Sequence, residues 1–112
     1  MAVKGIMTAA AAGILMGCFA SPVLADSTGF AGAHDWRKEG GRTCFTDHYH
    51  YGSSSGMRTR EAAIAEAARS WSSFTALEYG SDWASFGRAA GKKVSCSPTG
   101  GWSCSIEARP CR

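Results

Sequence analysis

The chain has 112 residues, of which 45% are hydrophobic and 19% are charged, and its net charge is +3. This length corresponds to a single domain and excludes folds that need a large parallel sheet. The small positive charge does not by itself indicate a nucleic-acid partner.

The first 25 residues have the pattern of a signal peptide. A positively charged start precedes an apolar stretch over 6–20, and small residues occupy the −3 and −1 positions, Val23 and Ala25. The apolar stretch is too short and too rich in alanine to predict a transmembrane span. We expect cleavage after Ala25, which removes 25 of the 112 residues and leaves 87 in the periplasm or outside the cell.

The same segment has an alternative interpretation as a lipoprotein leader. Leu15-Met16-Gly17-Cys18 looks like a lipobox, although Met16 departs from the usual small residue. Cleavage after Ala25 is the better match. Lipid attachment at Cys18 is the alternative, and it would hold the protein on a membrane without a spanning helix.

Four cysteines follow the predicted leader, and an even number in an exported chain predicts two disulfides, with three possible connectivities. We predict Cys96–Cys104, because a turn-forming sequence separates them, and Cys44–Cys111, which closes nearly the whole domain. On the loop-entropy model the short loop contributes about 2.5 kcal/mol and the long one about 4.4 kcal/mol. A zinc site made of cysteines is disfavoured because no C-x-x-C pair is present.

The N-terminal part of the exported chain predicts an arm followed by a strand. Residues 26–41 are rich in Gly, Ala, Ser and charge without periodicity, which predicts a flexible arm before a domain over 42–112. Thr43–Tyr51 is dense in aromatic and β-favouring residues and predicts one continuous strand. Alternation along that strand places His48 and His50 on the same face.

An amphipathic helix is predicted over Glu61–Tyr79. Thr59 can cap its N-terminus, Glu61 suits the helix dipole, and Gly80 stops it. Leu77 lies off the predicted apolar stripe. The stripe consists of Ile64, Ala67, Ala68, Trp71, Phe74 and Thr75.

The C-terminal part predicts β-structure. Asp82–Gly91 is ambiguous, and we interpret it as a short strand; Lys93–Ser97 and Gly101–Arg109 form an antiparallel hairpin around a Pro-Thr-Gly-Gly turn. The expected fold is α+β, with one helix packed on a small antiparallel sheet stapled by disulfides. The expected core consists of Ile64, Trp71, Phe74, Val94, Trp102 and Ile106.

Histidines provide the sharpest chemical pattern. His48 and His50 at i, i+2 on a strand point the same way and can share a metal ion, with His34 assisting from the arm. Zinc and copper suit imidazole ligands. The alternative is that these side chains make ordinary hydrogen bonds beside the tyrosines.

Basic residues are concentrated in the last thirty positions. Residues 83–112 carry five basic side chains against one acid, a local charge of +4, which suggests binding of a polyanion or an envelope surface. The alternative is a solvated basic face. The candidate anion ligands are Arg88, Lys92, Lys93 and Arg109.

The spacing of aromatic residues and cysteines resembles that of short exported bacterial proteins of uncharacterised function. The resemblance runs from Tyr49-His-Tyr-Gly to Pro110-Cys111, about two thirds of the chain. It implies the same small fold and carries no activity or site with it. Its features are Trp71, Tyr79-Gly80, Val94-x-Cys96, Trp102-x-Cys104 and Ala108-x-Pro110-Cys111.

No complete catalytic set is present in the sequence. Residues 52–56 satisfy G-x-S-x-G, but no histidine follows Ser54, as the hydrolase order requires. We therefore expect a non-enzymatic exported module that binds a protein or an envelope component. The alternatives are metal binding by the histidines and polyanion binding by the basic half. Neither nucleic acid nor an organic cofactor is expected.

Overall fold

The computed structural model describes residues 27–112, so the predictions on the signal peptide and the lipobox lie outside the described residues. Five strands and one long helix form the domain: β1 Trp36–Glu39, β2 Arg42–Phe45, β3 His50–Ser53, α1 Arg60–Tyr79, β4 Ala90–Ser97 and β5 Ser103–Arg109. Three short 3-10 helices cover Gly29–Ala33, Ser81–Trp83 and Phe86–Arg88. Within residues 27–112 no helix has the length and apolar character needed to cross a membrane.

The strands form two antiparallel sheets. One contains β1 and β2, and the other has the strand order β3-β5-β4. Helix α1 packs on one face of the three-stranded sheet. The buried residues between them are Ala63, Ala67, Trp71, Ala89, Cys104, Ile106 and Ala108. The predicted α+β fold is confirmed.

Helix α1 begins and ends where the sequence predicts. The Thr59 hydroxyl accepts a hydrogen bond from the Ala62 N–H at 3.0 Å, and Gly80 follows the last turn with a φ of 103°. The buried side of the helix contains Ala67, Trp71 and Thr75 as predicted, but Phe74 is 63% exposed. The buried residues are Ala63, Ala67, Trp71, Thr75, Ala76 and Tyr79.

Alanines are among the buried residues of the helix because it lies very close to β3. A Cβ added to Gly52 would stand 2.6 Å from the Trp71 backbone nitrogen, so only glycine fits there. The buried Trp71 indole N–H is 3.0 Å from the His50 carbonyl and 3.3 Å from the Ala108 carbonyl. The indole therefore ties the helix to β3 and β5.

We expect Gly52→Ala to lower the free energy of unfolding by about 2–3 kcal/mol, because the added methyl group pushes β3 away from α1. Gly29→Ala is the matched control, since a methyl group added there would have no other atom within 4 Å. Urea denaturation of both variants measures the difference. Equal stabilities would show that the close approach is not a constraint.

The predicted single strand over Thr43–Tyr51 is wrong. It consists of β2 and β3, and 46–49 connects two strands that belong to different sheets. The Phe45 N–H donates to the Pro110 carbonyl at 3.0 Å, whereas β3 pairs with β5 through His50 opposite Ala108. The predicted strand is interrupted here because β2 and β3 form hydrogen bonds with different partners.

Residues 27–41, predicted as a flexible arm, contain a 3-10 helix and β1. The Thr28 N–H donates to the Tyr79 carbonyl at 2.9 Å, and the Trp36 indole N–H donates to the Ala31 carbonyl at 2.8 Å. Strand β1 pairs with β2 along its four residues. These contacts use mainly backbone groups, which leave no periodic pattern in the sequence.

The strand predicted in Asp82–Gly91 is also wrong. The segment forms two 3-10 turns, and β4 begins only at Ala90. Trp83 is fully buried and stacks on Phe45, with ring centroids 4.6 Å apart. Packing against the small sheet therefore determines the course of this segment.

The C-terminal hairpin and both disulfides are confirmed. Cys96 and Cys104 lie opposite each other in β4 and β5. Cys44 in β2 is bonded to Cys111 near the chain end, 67 residues away. In the hairpin Val94 is 42% exposed, so it does not join the core as predicted, whereas Ile106 is buried.

A partly buried ion pair joins the two sheets. The Arg109 guanidinium in β5 lies 2.8 Å from the Glu39 carboxylate in β1 and donates to the Phe45 carbonyl at 2.6 Å. The hydrogen bond from Arg109 lowers the pKa of Glu39 to about 2 from its usual 4.5. Glu39 therefore stays ionised wherever the domain is folded above strongly acidic pH.

We expect this pair to make stability fall in acid. Because the pKa of Glu39 is depressed in the folded state, its contribution is present above about pH 4.5 and is lost as the pH falls towards 2. Glu39→Gln should cost about 1–3 kcal/mol at neutral pH and flatten this part of the pH profile. Urea denaturation between neutral pH and about pH 2.5 measures both effects.

Glu66→Gln is the control for the acid profile, because Glu66 pairs with Arg69 on the exposed surface of α1. It should keep the acid dependence of the unmodified protein. An acid profile that is the same in Glu39→Gln and Glu66→Gln would contradict the assignment.

Candidate functional site

A histidine cluster lies where the N-terminal segment, the β2–β3 connection and the end of α1 meet. We define it as His34, His48, His50, Glu78 and Tyr79. The His34 and His48 rings are stacked with centroids 4.5 Å apart, and those of His48 and His50 are 5.1 Å apart. The Tyr79 hydroxyl lies 3.0 Å from His34 Nε2. Polar groups from four segments, including the start of β3, thus converge at one place.

His50 is buried and both of its ring nitrogens have partners. Nδ1 lies 3.1 Å from Thr75 Oγ1, and Nε2 lies 3.2 Å from Glu78 Oε2. The Thr75 hydroxyl donates to the Trp71 carbonyl at 2.7 Å, so its oxygen acts as an acceptor towards His50 and assigns a proton to Nδ1. A hydrogen bond between Nε2 and the Glu78 carboxylate then requires a second proton on the ring, which is the imidazolium form of His50.

Burial lowers the pKa values of two histidines in the cluster. Loss of hydration lowers the pKa of His48, and the neighbouring His34 lowers it further against the opposing charge of Glu78. Loss of hydration also lowers the pKa of His50, again against Glu78. Burial raises the pKa of the Tyr79 hydroxyl. In His48 the lowered pKa favours the neutral imidazole, the form that binds a metal ion.

The group of residues that could hold a metal ion differs from the predicted one. One donor atom from each of His34, His48 and Glu78 lies within 4.8 Å of the other two. His34 lies next to His48, as the sequence predicts, but the third donor is Glu78 and not His50. Strand alternation does not apply to this pair, because His48 lies in the connection between β2 and β3. The sequence pattern misses Glu78, since its proximity to the histidines depends on how α1 crosses the sheet.

His34 and His48 reach solvent through a polar depression. It has a volume of about 240 Å³ and is lined by Ala33, His34, Asp35, Thr46, Asp47 and His48. The Glu78 side chain is 50% exposed at the neighbouring surface. Water and small ions can therefore reach the donor atoms.

Three of the four predicted anion ligands are engaged with other groups in the structure. Arg109 is not available to an anion, because it is buried against Glu39 and the Phe45 carbonyl. Lys93 pairs with Glu107 at 3.2 Å. Lys92 donates to the Gly87 carbonyl at 3.1 Å and lies over the Phe86 ring. The fourth predicted ligand, Arg88, is exposed. Within residues 27–112 its side chain has no ion pair, hydrogen bond or ring contact like those of the other three.

An apolar surface adjoins the histidine cluster. We define it as Phe30, Phe74 and Leu77, which are 67%, 63% and 69% exposed. Together with Glu78 they line a depression of about 430 Å³. Phe74 also lines a second depression with His48, Tyr49, His50 and Tyr51. The apolar surface and the histidine cluster are therefore neighbours that share Glu78.

Comparison with known proteins identifies no relative. No protein-family model matches the chain, and neither a curated protein nor a solved structure matches it. The resemblance to short exported bacterial proteins stays a prediction. The geometry of these surfaces is therefore the basis for the function proposed below.

We expect His50→Ala to destabilise the fold by about 2 kcal/mol in metal-free buffer, because it removes a buried side chain and strips Thr75 and Glu78 of a partner. His48→Ala should cost less than about 1 kcal/mol, since His48 is half-buried. Urea denaturation in the presence of a chelator measures both variants. A larger loss in His48→Ala would contradict the structural role assigned to His50.

Proposed function

We propose that this protein is an exported, non-enzymatic binding module that docks an apolar segment of a protein partner on Phe30, Phe74 and Leu77. The observation that carries the proposal is the gathering of three large apolar side chains, each about two-thirds exposed, at one end of α1. Large apolar side chains left together at the surface are typical of interaction sites.

The position of these side chains on the helix supports the proposal. The outward face of the first turns of α1 is largely polar, with exposed Arg60, Glu61 and Arg69. The apolar surface is confined to the last turns and to Phe30. Covering a large apolar side chain contributes about 1.5–3 kcal/mol, so three of them can dominate a small interface.

Two further observations support a binding role at an exported location. Ser54 in the G-x-S-x-G run has backbone partners: its hydroxyl donates to the Ala63 carbonyl at 2.6 Å and accepts from the Cys104 N–H at 3.2 Å. This arrangement favours a structural role for Ser54 over a nucleophilic one. The two disulfides favour an oxidising compartment.

Site-specific photo-crosslinking in the cells that export the protein tests the proposal. A photo-reactive residue at Leu77 should give one discrete protein adduct, and Phe74→Ser in the same protein should abolish it. A probe at Ser95, exposed on the face of the sheet away from α1, is the matched control and should give none. No adduct at Leu77, or the same adducts at both positions, would exclude the apolar surface as the docking site.

A further inference from the structure

We propose that His34, His48 and Glu78 bind one zinc ion at the surface of the domain, and that His50 holds the Glu78 carboxylate in position. The site is distinct from the docking surface, because none of its three ligands is Phe30, Phe74 or Leu77, although Glu78 borders both. It also differs from the arrangement predicted from the sequence, in which His48 and His50 share the ion.

The distances between the donor atoms are close to those that zinc needs. A tetrahedral zinc ion with ligands at about 2.0–2.1 Å places its donor atoms about 3.3 Å apart. The three donor atoms lie within 4.8 Å of one another, so shifts of about 1 Å in each side chain close the site. Such shifts are accessible because His34 and His48 are only half-buried and Glu78 is half-exposed.

The donor set matches the chemistry of zinc. Two imidazoles and one carboxylate form a common three-residue zinc site, in which the fourth position is filled by water or another ligand. The polar depression beside His34 and His48 gives water access to that position. Copper(II) binds nitrogen and oxygen donors still more tightly, so it competes for the same residues.

His50 acts as a positioning residue in this arrangement. Its Nε2 lies 3.2 Å from Glu78 Oε2, and its Nδ1 is held by the Thr75 hydroxyl. Carboxylates that bind metal ions are commonly fixed by such outer hydrogen bonds, and losing one weakens binding about 10–100-fold. His50 is thereby engaged on both nitrogens, which removes it from the ligand set.

Calorimetric titration of zinc chloride into the purified, oxidised, chelator-treated protein tests the site. We expect one ion per chain. His48→Ala and Glu78→Gln each remove a ligand and should weaken binding by more than about 100-fold, whereas His50→Asn should weaken it by about 10–100-fold. Glu66→Gln is the matched control on α1 and should bind zinc as the unmodified protein does, because Glu66 pairs with Arg69 away from the cluster.

A second measurement keeps the test valid if a variant fails to fold. Cobalt(II) added to the unmodified protein should give the intense visible absorption of a tetrahedral site with nitrogen and oxygen ligands, and zinc should displace it. A weak octahedral spectrum, no binding heat, or equal zinc affinity in Glu78→Gln would overturn the proposal. Unchanged binding in Glu78→Gln together with complete loss in His50→Asn would instead favour the ligand pair predicted from the sequence.

Phe74→Ser separates this proposal from the docking proposal. It removes the adduct expected at Leu77 but leaves all three donor side chains in place, so zinc affinity should stay within about twofold. Loss of zinc binding in this variant while the fold is retained would contradict the independence of the two sites.

Discussion

The packing of Trp71 between α1 and the three-stranded sheet is the constraint on which the rest of the structure depends. Its indole N–H bonds to backbone carbonyls of β3 and β5, and Gly52 lets the strand approach to within contact of the helix backbone. Once this contact is fixed, the helical period sets the positions of later residues. Thr75, one turn further on, meets His50, and Glu78, almost another turn on, reaches the other side of the same imidazole. The candidate metal site is therefore a consequence of how the core packs.

The second sheet depends on the end of the chain. A two-stranded hairpin such as β1–β2 is marginally stable alone, so it needs contacts from elsewhere. The last four residues supply them: Arg109 pairs with Glu39, the Pro110 carbonyl accepts from Phe45, and Cys111 is bonded to Cys44. The Arg112 guanidinium lies 4.9 and 5.0 Å from the ring centroids of Trp36 and Trp83. The small sheet is thus stabilised by an ion pair, a hydrogen bond, a disulfide and cation–π contacts.

Features encoded by neighbouring residues could be predicted from the sequence, and features set by distant contacts could not. The Thr59 cap, the Gly80 stop and the Cys96–Cys104 pair across a short turn are local, and the structure confirms them. The outward position of Phe74 follows from the close approach at Gly52, which turns the alanines of α1 towards the strand. The sequence predicts His34 and His48 in the candidate site but not Glu78, because the position of Glu78 depends on the angle at which α1 crosses β3.

The candidate metal site is assembled from segments that lie far apart in the chain, so it depends on the closed fold. Residues 46–49 carry His48 between β2, which is bonded to the chain end through Cys44–Cys111, and β3, which is fixed beneath Trp71. His34 is held by the Tyr79 hydroxyl, and the Thr28 N–H donates to the carbonyl of the same tyrosine. The donors are therefore positioned by contacts between residues that lie far apart in the sequence. Cys44–Cys111 closes a 67-residue separation and bonds β2, from which the connection that carries His48 leaves, to the segment that follows β5. The geometry of the candidate site is thus coupled to formation of a disulfide, which requires oxidising conditions.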